Sequence, residues 1–377
     1  MSGARSTRGT VIAGGGTGGH VVPSLRIARA LVARGHAPEE VEFYGSRRGQ
    51  EAKVWPPLEF PFTLLPGRGI RRSLKPRALW DNAGAVLGLV WAVARAIGSF
   101  AHRRPRVVVV VGGYASLAAG VAAVVVRAPL VLVHIDAVPG AVNGLLTRFA
   151  AANTVSFPDM DLPHSTLTGT PIRAEFNGQD RSEAGRREAK RELGVPDDHR
   201  LLVATGGSLG ALRINTAVAD VAARWVPPEP VTIYQITGRR DYAQFAAGVA
   251  SAGSGVDYRL IEFEERMPLV FQAADLLVCR AGANTVAELS VSGVPSLLVP
   301  LPGAPRDHQT RNARALEAEG AAIVIADAEC TGARLMAELS LVLFDDDRLA
   351  AMGAAARAAG RPDAAELVAE VVDAHAR

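Results

Sequence analysis

A glycine-rich segment that ends in a histidine carries the first residues of this sequence that could do chemistry. Gly14–His20 reads GGGTGGH and follows the apolar run Thr10–Ala13, which predicts a strand. Glycines between a strand and a helix let a phosphate approach the backbone N–H groups at the helix N-terminus. His20, expected just ahead of the helix, could take a proton from an acceptor hydroxyl or only hydrogen-bond the loop, and its position leaves both interpretations open.

The same loop also satisfies the spacing of a dinucleotide site. Gly14, Gly16 and Gly19 fit the pattern G-x-G-x-x-G. Such a site expects an acidic residue at the end of the second strand, whereas here Tyr44 is followed by GSRR. Because arginines can hold the additional phosphate of NADP, an NAD(P)-dependent oxidoreductase remains an alternative, ranked last.

Two further glycine loops also follow predicted strands. Gly112–Ser116 reads GGYAS after the run Val107–Val111, and it could add N–H donors for a second phosphate or be a tight turn. Gly206–Gly210 reads GGSLG after Leu201–Thr205 and again opens a helix.

A fourth glycine loop suits a nucleotide diphosphate. Arg280–Glu288 reads RAGANTVAE and predicts a helix with Thr285 in its first turn, so that backbone N–H groups and a hydroxyl could face the phosphates. Glu288 could accept hydrogen bonds from ribose hydroxyls, or it could lie on a solvated helix face.

The segment Asp307–Asn312, DHQTRN, is the candidate for recognition of a sugar. Gln309 and Asn312 stand at i and i+3, so they share one helix face and could together meet sugar hydroxyls. The alternative is that Asp307 only caps this helix.

The elements that position these loops alternate between strand and helix. Strands are predicted at Thr10–Ala13, Val41–Tyr44, Phe62–Leu65, Val107–Val111, Leu130–His134, Asn153–Ser156, Leu201–Thr205, Val231–Thr237, Asp275–Val278, Ser296–Pro300 and Ala321–Ile325. Helices are predicted at Pro23–Arg34, Lys75–Phe100, Gly140–Ala150, Ser182–Leu193 and Leu349–Arg377. The pattern predicts an α/β protein of two doubly wound, Rossmann-like domains that face each other across a cleft, with the boundary in the turn-rich segment Thr168–Asp180.

Composition excludes several classes of protein. The 377 residues carry a formal net charge of only +3, which does not favour nucleic-acid binding. The two cysteines, Cys279 and Cys330, lack metal-type spacing and suit a reducing cytoplasm, so no metal site is expected. The N-terminus is too polar for a signal peptide. Val107–Val126 is uncharged and long enough to span a bilayer, but its valine run, glycine turn and alanine-rich stretch predict a buried strand and helix.

One basic and apolar stretch could contact a membrane. Gly67–Trp80 reads GRGIRRSLKPRALW, with Ile70, Leu74, Leu79 and Trp80 among its basic residues, and the apolar segment Ala83–Phe100 with Trp91 follows. Basic residues beside exposed apolar ones suit anionic headgroups at a membrane surface. The alternative is a solvated loop ahead of a buried helix.

Together, and in this order, the motifs resemble the MurG family of glycosyltransferases. The resemblance runs from about Thr10 to Ile325. It rests on GGGTGGH at Gly14–His20, GGYAS at Gly112–Ser116, TGTPIR at Thr168–Arg173, GGSLGA at Gly206–Ala211, CRAGANTVAEL at Cys279–Leu289 and DHQTRNA at Asp307–Ala313.

The resemblance implies a GT-B fold and an inverting transfer, without a required metal or cofactor, of N-acetylglucosamine from UDP-N-acetylglucosamine to undecaprenyl-diphospho-N-acetylmuramoyl-pentapeptide. It implies an acceptor and membrane-side domain at 1–172 and a UDP-sugar domain at 173–354, with a helix at about 355–377 packing back on the first. It implies a cytoplasmic protein held peripherally on the inner face of the cell membrane.

The resemblance also assigns roles to individual residues. His20 is the candidate catalytic base. The acceptor diphosphate is expected at Gly15, Gly16, Gly112, Gly113 and Tyr114. Contacts to the donor are expected from Thr17, Gly18, Gly19, Arg173, Ser208, Ala283, Asn284, Thr285, Val286, Ala287, Glu288, Gln309 and Asn312.

Three positions depart from the family pattern. The family's H-E-Q-N appears here as HIDA, so that Ala137 stands where an amide is expected to contact the donor sugar. Leu117 replaces a proline after the second loop, and Glu264 stands where an aliphatic residue near the uracil is usual. Two alternatives follow from the resemblance: a relative with a different sugar or acceptor, and a glycosyltransferase-like subunit that binds without catalysis.

Overall fold

Two parallel β-sheets form the framework of this protein. The computed structural model describes residues 9–16, 18–49, 51–55, 57–66, 76–207, 210–246 and 253–377. The chain divides into two units, here called unit 1 (Met1–Arg173 with Pro362–Arg377) and unit 2 (Ala174–Arg361).

Unit 1 contains a seven-stranded sheet in the order β3-β2-β1-β4-β5-β6-β7, and every pairing is parallel. Its strands are β1 (Thr10–Gly14), β2 (Val41–Ser46), β3 (Phe62–Leu65), β4 (Val107–Gly112), β5 (Leu130–His134), β6 (Ala152–Val155) and β7 (Ser165–Leu167). β4 is buried along its whole length, as a valine run in the middle of a sheet covered on both faces should be. The edge strand β7 was not predicted, because its three residues carry little apolar signal.

Helices cover the sheet of unit 1. They are α1 (Gly18–Ala33), α2 (Glu51–Val54), α3 (Pro76–Arg103), α4 (Leu117–Val126), α5 (Ala141–Leu146) and α14 (Ala364–His375). The prediction that the uncharged segment 107–126 forms a strand, a turn and a helix is confirmed by β4 and α4.

Unit 2 repeats the arrangement with six parallel strands in the order β10-β9-β8-β11-β12-β13. The strands are β8 (Arg200–Thr205), β9 (Val231–Ile236), β10 (Val256–Ile261), β11 (Leu276–Cys279), β12 (Ser296–Leu298) and β13 (Ala322–Val324). The helices are α6 (Glu183–Glu192), α7 (Leu212–Arg224), α8 (Tyr242–Ala246), α9 (Met267–Ala273), α10 (Ala283–Ser292), α11 (His308–Ala318), α12 (Gly332–Val342) and α13 (Asp346–Ala359). The sequence analysis missed β10, although its alternation VDYRLI is the pattern of a half-buried strand.

The C-terminal segment forms two helices where one was expected. α13 ends at Ala359 in unit 2, and α14 begins at Ala364 in unit 1. Pro362 lies between them and has no N–H group to continue the helical hydrogen bonds. α14 packs on α1, where Asp373 accepts hydrogen bonds from Arg34 at 2.7 Å and pairs with His36 at 2.7 Å.

The strand order explains where the glycine loops lie. Each sheet reverses its winding direction once, between β1 and β4 in unit 1 and between β8 and β11 in unit 2. Ligands of open α/β sheets bind at the carboxyl ends of the strands beside such a reversal. All four glycine loops follow these four strands, so the predicted class of α/β protein with two doubly wound sheets is confirmed.

A buried carboxylate ties the start of β8 and β11 to α6. Asp275 is 3% exposed and accepts hydrogen bonds from Lys190 Nζ at 2.7 Å, the Leu201 N–H at 2.7 Å and Arg186 at 3.0 Å. These donors satisfy both carboxylate oxygens, which a buried charge requires.

We expect Asp275→Ala to lower the free energy of unfolding of unit 2 by about 3–5 kcal/mol, because it leaves the buried Lys190 ammonium without its partner. Urea unfolding followed through Trp225, the single tryptophan between residues 174 and 361, measures the change. The control is Asp346→Ala, whose carboxylate pairs with Arg200 but is 76% exposed, and which should cost less than about 1 kcal/mol. Equal effects of the two variants would contradict the assignment.

Candidate active site

The two glycine loops of unit 1 meet backbone to backbone. The Gly15 N–H donates to the Gly112 carbonyl at 3.4 Å. Gly113 has φ +80°, and a Cβ atom there would overlap the carbonyl oxygen of Gly15. Only a residue without a side chain allows this approach at Gly113, so a glycine is required there by contact as well as by conformation.

His20 lies at the junction of these loops. It belongs to the first turn of α1, whereas the sequence analysis placed it just ahead of the helix. Its ring lies against the second loop, since a Cβ atom added at Gly112 would be 3.0 Å from Nε2. The His20 carbonyl accepts a hydrogen bond from Ser24 Oγ at 2.8 Å, which fixes the turn that carries the ring. The imidazole is half-buried and stands between the two glycine loops.

A second histidine of unit 1 is unsuitable as a base. His134 ends β5 and is buried, and its Nε2 contacts Asn153 Oδ1 at 2.9 Å. Burial lowers the pKa of His134 below its ordinary value, although the hydrogen bond with Asn153 acts in the opposite direction. The following Ala137 is partly buried.

Two N–H groups of the first loop donate hydrogen bonds within the protein. The Gly15 N–H is bonded to Gly112, and the Gly16 N–H donates to Glu51 Oε2 at 2.8 Å. Gly15 and Gly16, predicted to lie at the acceptor diphosphate, therefore have their N–H groups bonded within the protein. By contrast, the Gly113 and Tyr114 N–H groups have no hydrogen-bond partner among the described residues.

Sequence reasoning missed Glu51 altogether. Its carboxylate is fully buried beneath the first loop, and its other oxygen accepts from the Ser46 N–H at 2.8 Å. A lone Glu in the segment SRRGQE looks like a surface residue, and no local pattern distinguishes it.

In unit 2 the helix α10 presents its N-terminus directly after β11. Gly282 is the N-cap residue and has no side chain that could cap the first N–H groups of the helix. The positive end of the helix dipole and these N–H groups form an anion site. The predicted donor contacts Ala283–Glu288 all lie in the first two turns of this helix.

The side chains of Asn284 and Cys279 lie near this N-terminus and differ in chemistry. Asn284 Oδ1 is buried without a hydrogen-bond partner among the described residues, so it can accept from a ligand. Cys279, at the end of β11, cannot serve as a nucleophile. Burial, with the nearby Glu288 carboxylate, raises the pKa of its thiol to about 12.

Buried polar side chains hold the loops around α10 in place. Arg280 donates to the carbonyls of Val299 and Pro300, both at 3.0 Å, and pairs with Asp327 at 2.7 Å. Asn312 was predicted to meet the sugar, but it is fully buried and donates to the Ala281 carbonyl at 3.1 Å. Its observed role is to support the glycine loop.

Gln309 stands in the first turn of α11 after a strained turn. Arg306 and Asp307 both have positive φ, 56° and 53°, which is uncommon for residues other than glycine. Asp307 does not cap α11 with its side chain but accepts from Thr310 Oγ1 at 2.7 Å. Gln309 Oε1 accepts from the Leu301 N–H at 2.9 Å, which leaves the side-chain NH₂ group to donate.

The unusual Glu264 is held within unit 2. Its carboxylate accepts from the Tyr234 hydroxyl at 2.7 Å and from the Arg266 N–H at 2.8 Å. Partial burial acts to raise the pKa of Glu264, but the hydrogen bonds from Arg266 and Tyr234 prevail and hold it below its ordinary value. The neighbouring Phe263 is 44% exposed and has the Arg239 guanidinium 4.9 Å from its ring centroid.

The other residues predicted to contact the donor lie at the start of α1 and at the end of the first segment of unit 1, or outside the described residues. Gly18 and Gly19 are the first two residues of α1, and Arg173 is the last residue of the first segment of unit 1. Thr17 and Ser208 lie outside the described residues. Within the described part of the chain, no group of three or more His, Cys, Asp or Glu side chains could hold a metal ion.

Family models match both units. Residues 10–155 match the glycosyltransferase family 28 N-terminal domain, and residues 201–368 match the glycosyltransferase family 28 C-terminal domain. Two relatives carry the name UDP-N-acetylglucosamine--N-acetylmuramyl-(pentapeptide) pyrophosphoryl-undecaprenol N-acetylglucosamine transferase. The relative from Alkalilimnicola ehrlichii is 40% identical over 97% of this chain and 98% of its own length, and that from Desulforudis audaxviator is 35% identical over 96% and 97%. The chain belongs to the MurG family.

Solved structures agree with this membership. The crystal structure of MurG from Acinetobacter baumannii matches with a TM-score of 0.78 and 25% identity, covering 97% of this chain and 99% of the other. The glycosyltransferase of kitacinnamycin matches at 17% identity with a TM-score of 0.66, covering 98% and 99%, which shows a shared fold. The GT-B fold and the UDP-sugar glycosyltransferase activity predicted from the motifs are confirmed, and the oxidoreductase alternative is set aside.

We expect Gly113→Ala to lower the free energy of unfolding of unit 1 by at least about 2 kcal/mol. The new methyl group overlaps the Gly15 carbonyl, and the backbone at φ 80° and ψ 159° is accessible almost only to glycine. The same substitution at Gly98, which is exposed within α3 with nothing in reach of a Cβ atom, should instead stabilise the protein by up to about 1 kcal/mol. Chemical denaturation of both variants provides the comparison, and effects of the same sign would contradict the packing of the loops.

Proposed function

We propose that this chain transfers N-acetylglucosamine from UDP-N-acetylglucosamine to undecaprenyl-diphospho-N-acetylmuramoyl-pentapeptide. The observation that carries the proposal is the match, over 96–97% of this chain, to relatives whose names state that reaction. Unit 2 binds the UDP-sugar and unit 1 binds the lipid diphosphate and supplies the base.

The donor diphosphate is placed at the N-terminus of α10. The uncapped N–H groups after Gly282 and the Thr285 hydroxyl bind its oxygens. Glu288 accepts from ribose hydroxyls, and the NH₂ group of Gln309 donates to the sugar. Asn312 and Arg280 act indirectly, by holding the loops that carry these groups.

The acceptor diphosphate is assigned to the second loop of unit 1. The N–H groups of Gly113 and Tyr114 make no hydrogen bond among the described residues, and such backbone donors favour a bound anion. Gly18 and Gly19, the first residues of α1, keep their expected contact with the donor.

The reaction is a direct displacement at the anomeric carbon. His20 takes the proton from the acceptor hydroxyl as that oxygen forms its bond to the anomeric carbon. The bond from this carbon to the UDP oxygen breaks, and UDP leaves with the electron pair. The dipole and N–H groups of α10 stabilise the charge that develops on UDP, so the mechanism requires no metal ion.

We expect His20→Ala to reduce kcat by about 10²–10⁴-fold, because the acceptor hydroxyl loses its base. The measurement is transfer from UDP-N-acetylglucosamine to a soluble analogue of the lipid-linked acceptor. UDP binding, followed by calorimetry, should be unchanged, since the nucleotide is assigned to unit 2. The control is His102→Ala, an exposed histidine at the end of α3, which should keep wild-type activity.

The outcomes of this assay separate the alternatives. Wild-type turnover in His20→Ala would remove His20 as the base. If the wild-type chain bound UDP but transferred no sugar from a panel of UDP-sugars, the binding subunit would be favoured. Transfer only from a different UDP-sugar would favour an enzyme of different sugar specificity. Ala137, which stands where the family has an amide side chain, would then be the first explanation of that specificity.

The helix α3 supports a peripheral location on the inner face of the cell membrane. By length and composition its segment Gly84–Arg103 could cross a membrane, yet Ala85, Ala92, Ala96 and Phe100 pack into the core of unit 1. Leu87, Val90 and Trp91 remain 72%, 61% and 59% exposed. Their side chains form an apolar helix face that suits an interfacial position. Residues 67–75 and the side chains of Leu79 and Trp80, assigned to the same surface, lie outside the described part of the chain.

We expect Leu87→Glu combined with Trp91→Ala to weaken binding to vesicles that contain anionic lipid by about tenfold or more, because two apolar side chains no longer enter the bilayer interface. Co-sedimentation with vesicles measures the affinity. The control is Val226→Glu, which places a carboxylate at an apolar position of unit 2 that is 73% exposed. Equal affinity of the double variant and the control would contradict the assignment of α3.

A further inference from the structure

A fully buried carboxylate lies beneath the first glycine loop and has no role in the mechanism above. Glu51 begins the short helix α2 and is 0% exposed. Its Oε2 accepts the Gly16 N–H and its Oε1 accepts the Ser46 N–H, both at 2.8 Å. One side chain therefore fastens the glycine loop after β1 to the end of β2.

Three glycines create the space for this carboxylate. A Cβ atom at Gly15 or Gly49 would overlap the carboxylate itself, and one at Gly45 would lie 2.7 Å from Glu51 Cγ. None of the three has a positive φ, so their backbone conformation is open to other residues. Glycine is needed at Gly15 and Gly49 because Glu51 occupies the volume that a side chain would take, and at Gly45 because Trp55 and Glu51 together occupy it.

The same carboxylate reaches the second loop through one further residue. Tyr114 donates its hydroxyl to Ser46 Oγ at 3.4 Å. The Tyr114 ring packs on Gly16, where an added Cβ atom would be 2.9 Å from the ring edge. Gly16, Ser46 and Tyr114 are thus held together around Glu51, and two of them belong to the loops that surround His20.

The position of the charge has a chemical consequence. In a dinucleotide-binding sheet, N–H groups of the corresponding loop bind the pyrophosphate. Here the protein's own carboxylate takes the Gly16 N–H, and like charges repel strongly in a buried environment. A diphosphate is therefore disfavoured at Gly15 and Gly16, and the N–H groups of Gly113 and Tyr114 remain for it.

We propose that Glu51 is a positioning residue for the acceptor, which fixes both glycine loops of unit 1 and directs the acceptor diphosphate to Gly113 and Tyr114. The inference rests on the proposed function for the identity of the acceptor. The rigidity of the two loops can be measured by hydrogen exchange, which does not depend on enzymatic activity.

The test compares three variants. Glu51→Gln replaces one accepting oxygen with an NH₂ group that faces an N–H donor. Gly49→Ala keeps the carboxylate but displaces it, since the new methyl group takes its space. The matched control is Glu42→Gln on β2, whose carboxylate bonds Arg103 and Thr63 away from the loops.

Two measurements are made on each folded variant. In the transfer assay, Glu51→Gln and Gly49→Ala should lower kcat/KM for the acceptor analogue by about 10–100-fold, whereas KM for UDP-N-acetylglucosamine should stay within about twofold. In hydrogen exchange, peptides covering 14–20 and 112–116 should exchange faster than in the wild type. Glu42→Gln should leave both measurements unchanged.

Each outcome decides something different. Wild-type exchange in both loops of the Glu51 and Gly49 variants would overturn the inference, whatever their activity. Faster exchange with an unchanged kcat/KM for the acceptor would also overturn it, because Glu51 would then be only structural. If Glu51→Gln fails to fold, Gly49→Ala provides the same comparison. A wild-type chain that transfers nothing would remove the proposed function, and the exchange data would decide the fixing of the loops on their own.

Discussion

The contact between two backbone loops at the carboxyl end of the unit 1 sheet is the constraint on which the site depends. Gly113 lies so close to the Gly15 carbonyl that it could not carry a side chain, and a side chain at Gly15 would overlap the Glu51 carboxylate. The contact brings His20 against Gly112, and the N–H groups of Gly113 and Tyr114 make no hydrogen bond among the described residues. The contact lies at the carboxyl ends of β1 and β4, where the parallel sheet reverses its winding and where ligands of such sheets bind.

The two units differ in what faces the backbone N–H groups of their glycine loops. In unit 2 the N-cap residue of α10 is Gly282, which has no capping side chain, and the first turn of the helix contains no acidic residue. In unit 1 the Gly16 N–H of the corresponding loop donates to an internal carboxylate, that of Glu51. The first arrangement leaves donors for a ligand, whereas the second fixes the loop so that its neighbours can act.

Support by buried polar groups recurs throughout the chain. Asp275 joins α6 to two strand starts, Arg280 holds the carbonyls after β12, and Asn312 holds the glycine loop before α10. Each of these groups makes its hydrogen bonds to partners that are distant in sequence. Such networks hold a ligand-binding loop in one conformation without filling the space that the ligand needs. Arg306 and Asp307, beside Gln309, also have a strained backbone conformation with positive φ.

The sequence by itself determined the features that are encoded locally. Alternating apolar runs predicted the strands and helices, and glycines directly after β1 and β4 predicted the loops at the carboxyl ends of the strands. The order of the motifs determined the family. The tertiary structure alone decided the partners of Glu51 and the burial of Asn312, because Gly16 lies 35 residues from Glu51 and Ala281 lies 31 residues from Asn312. Contacts across such separations depend on how the elements pack, and no helical or strand periodicity in the sequence records them.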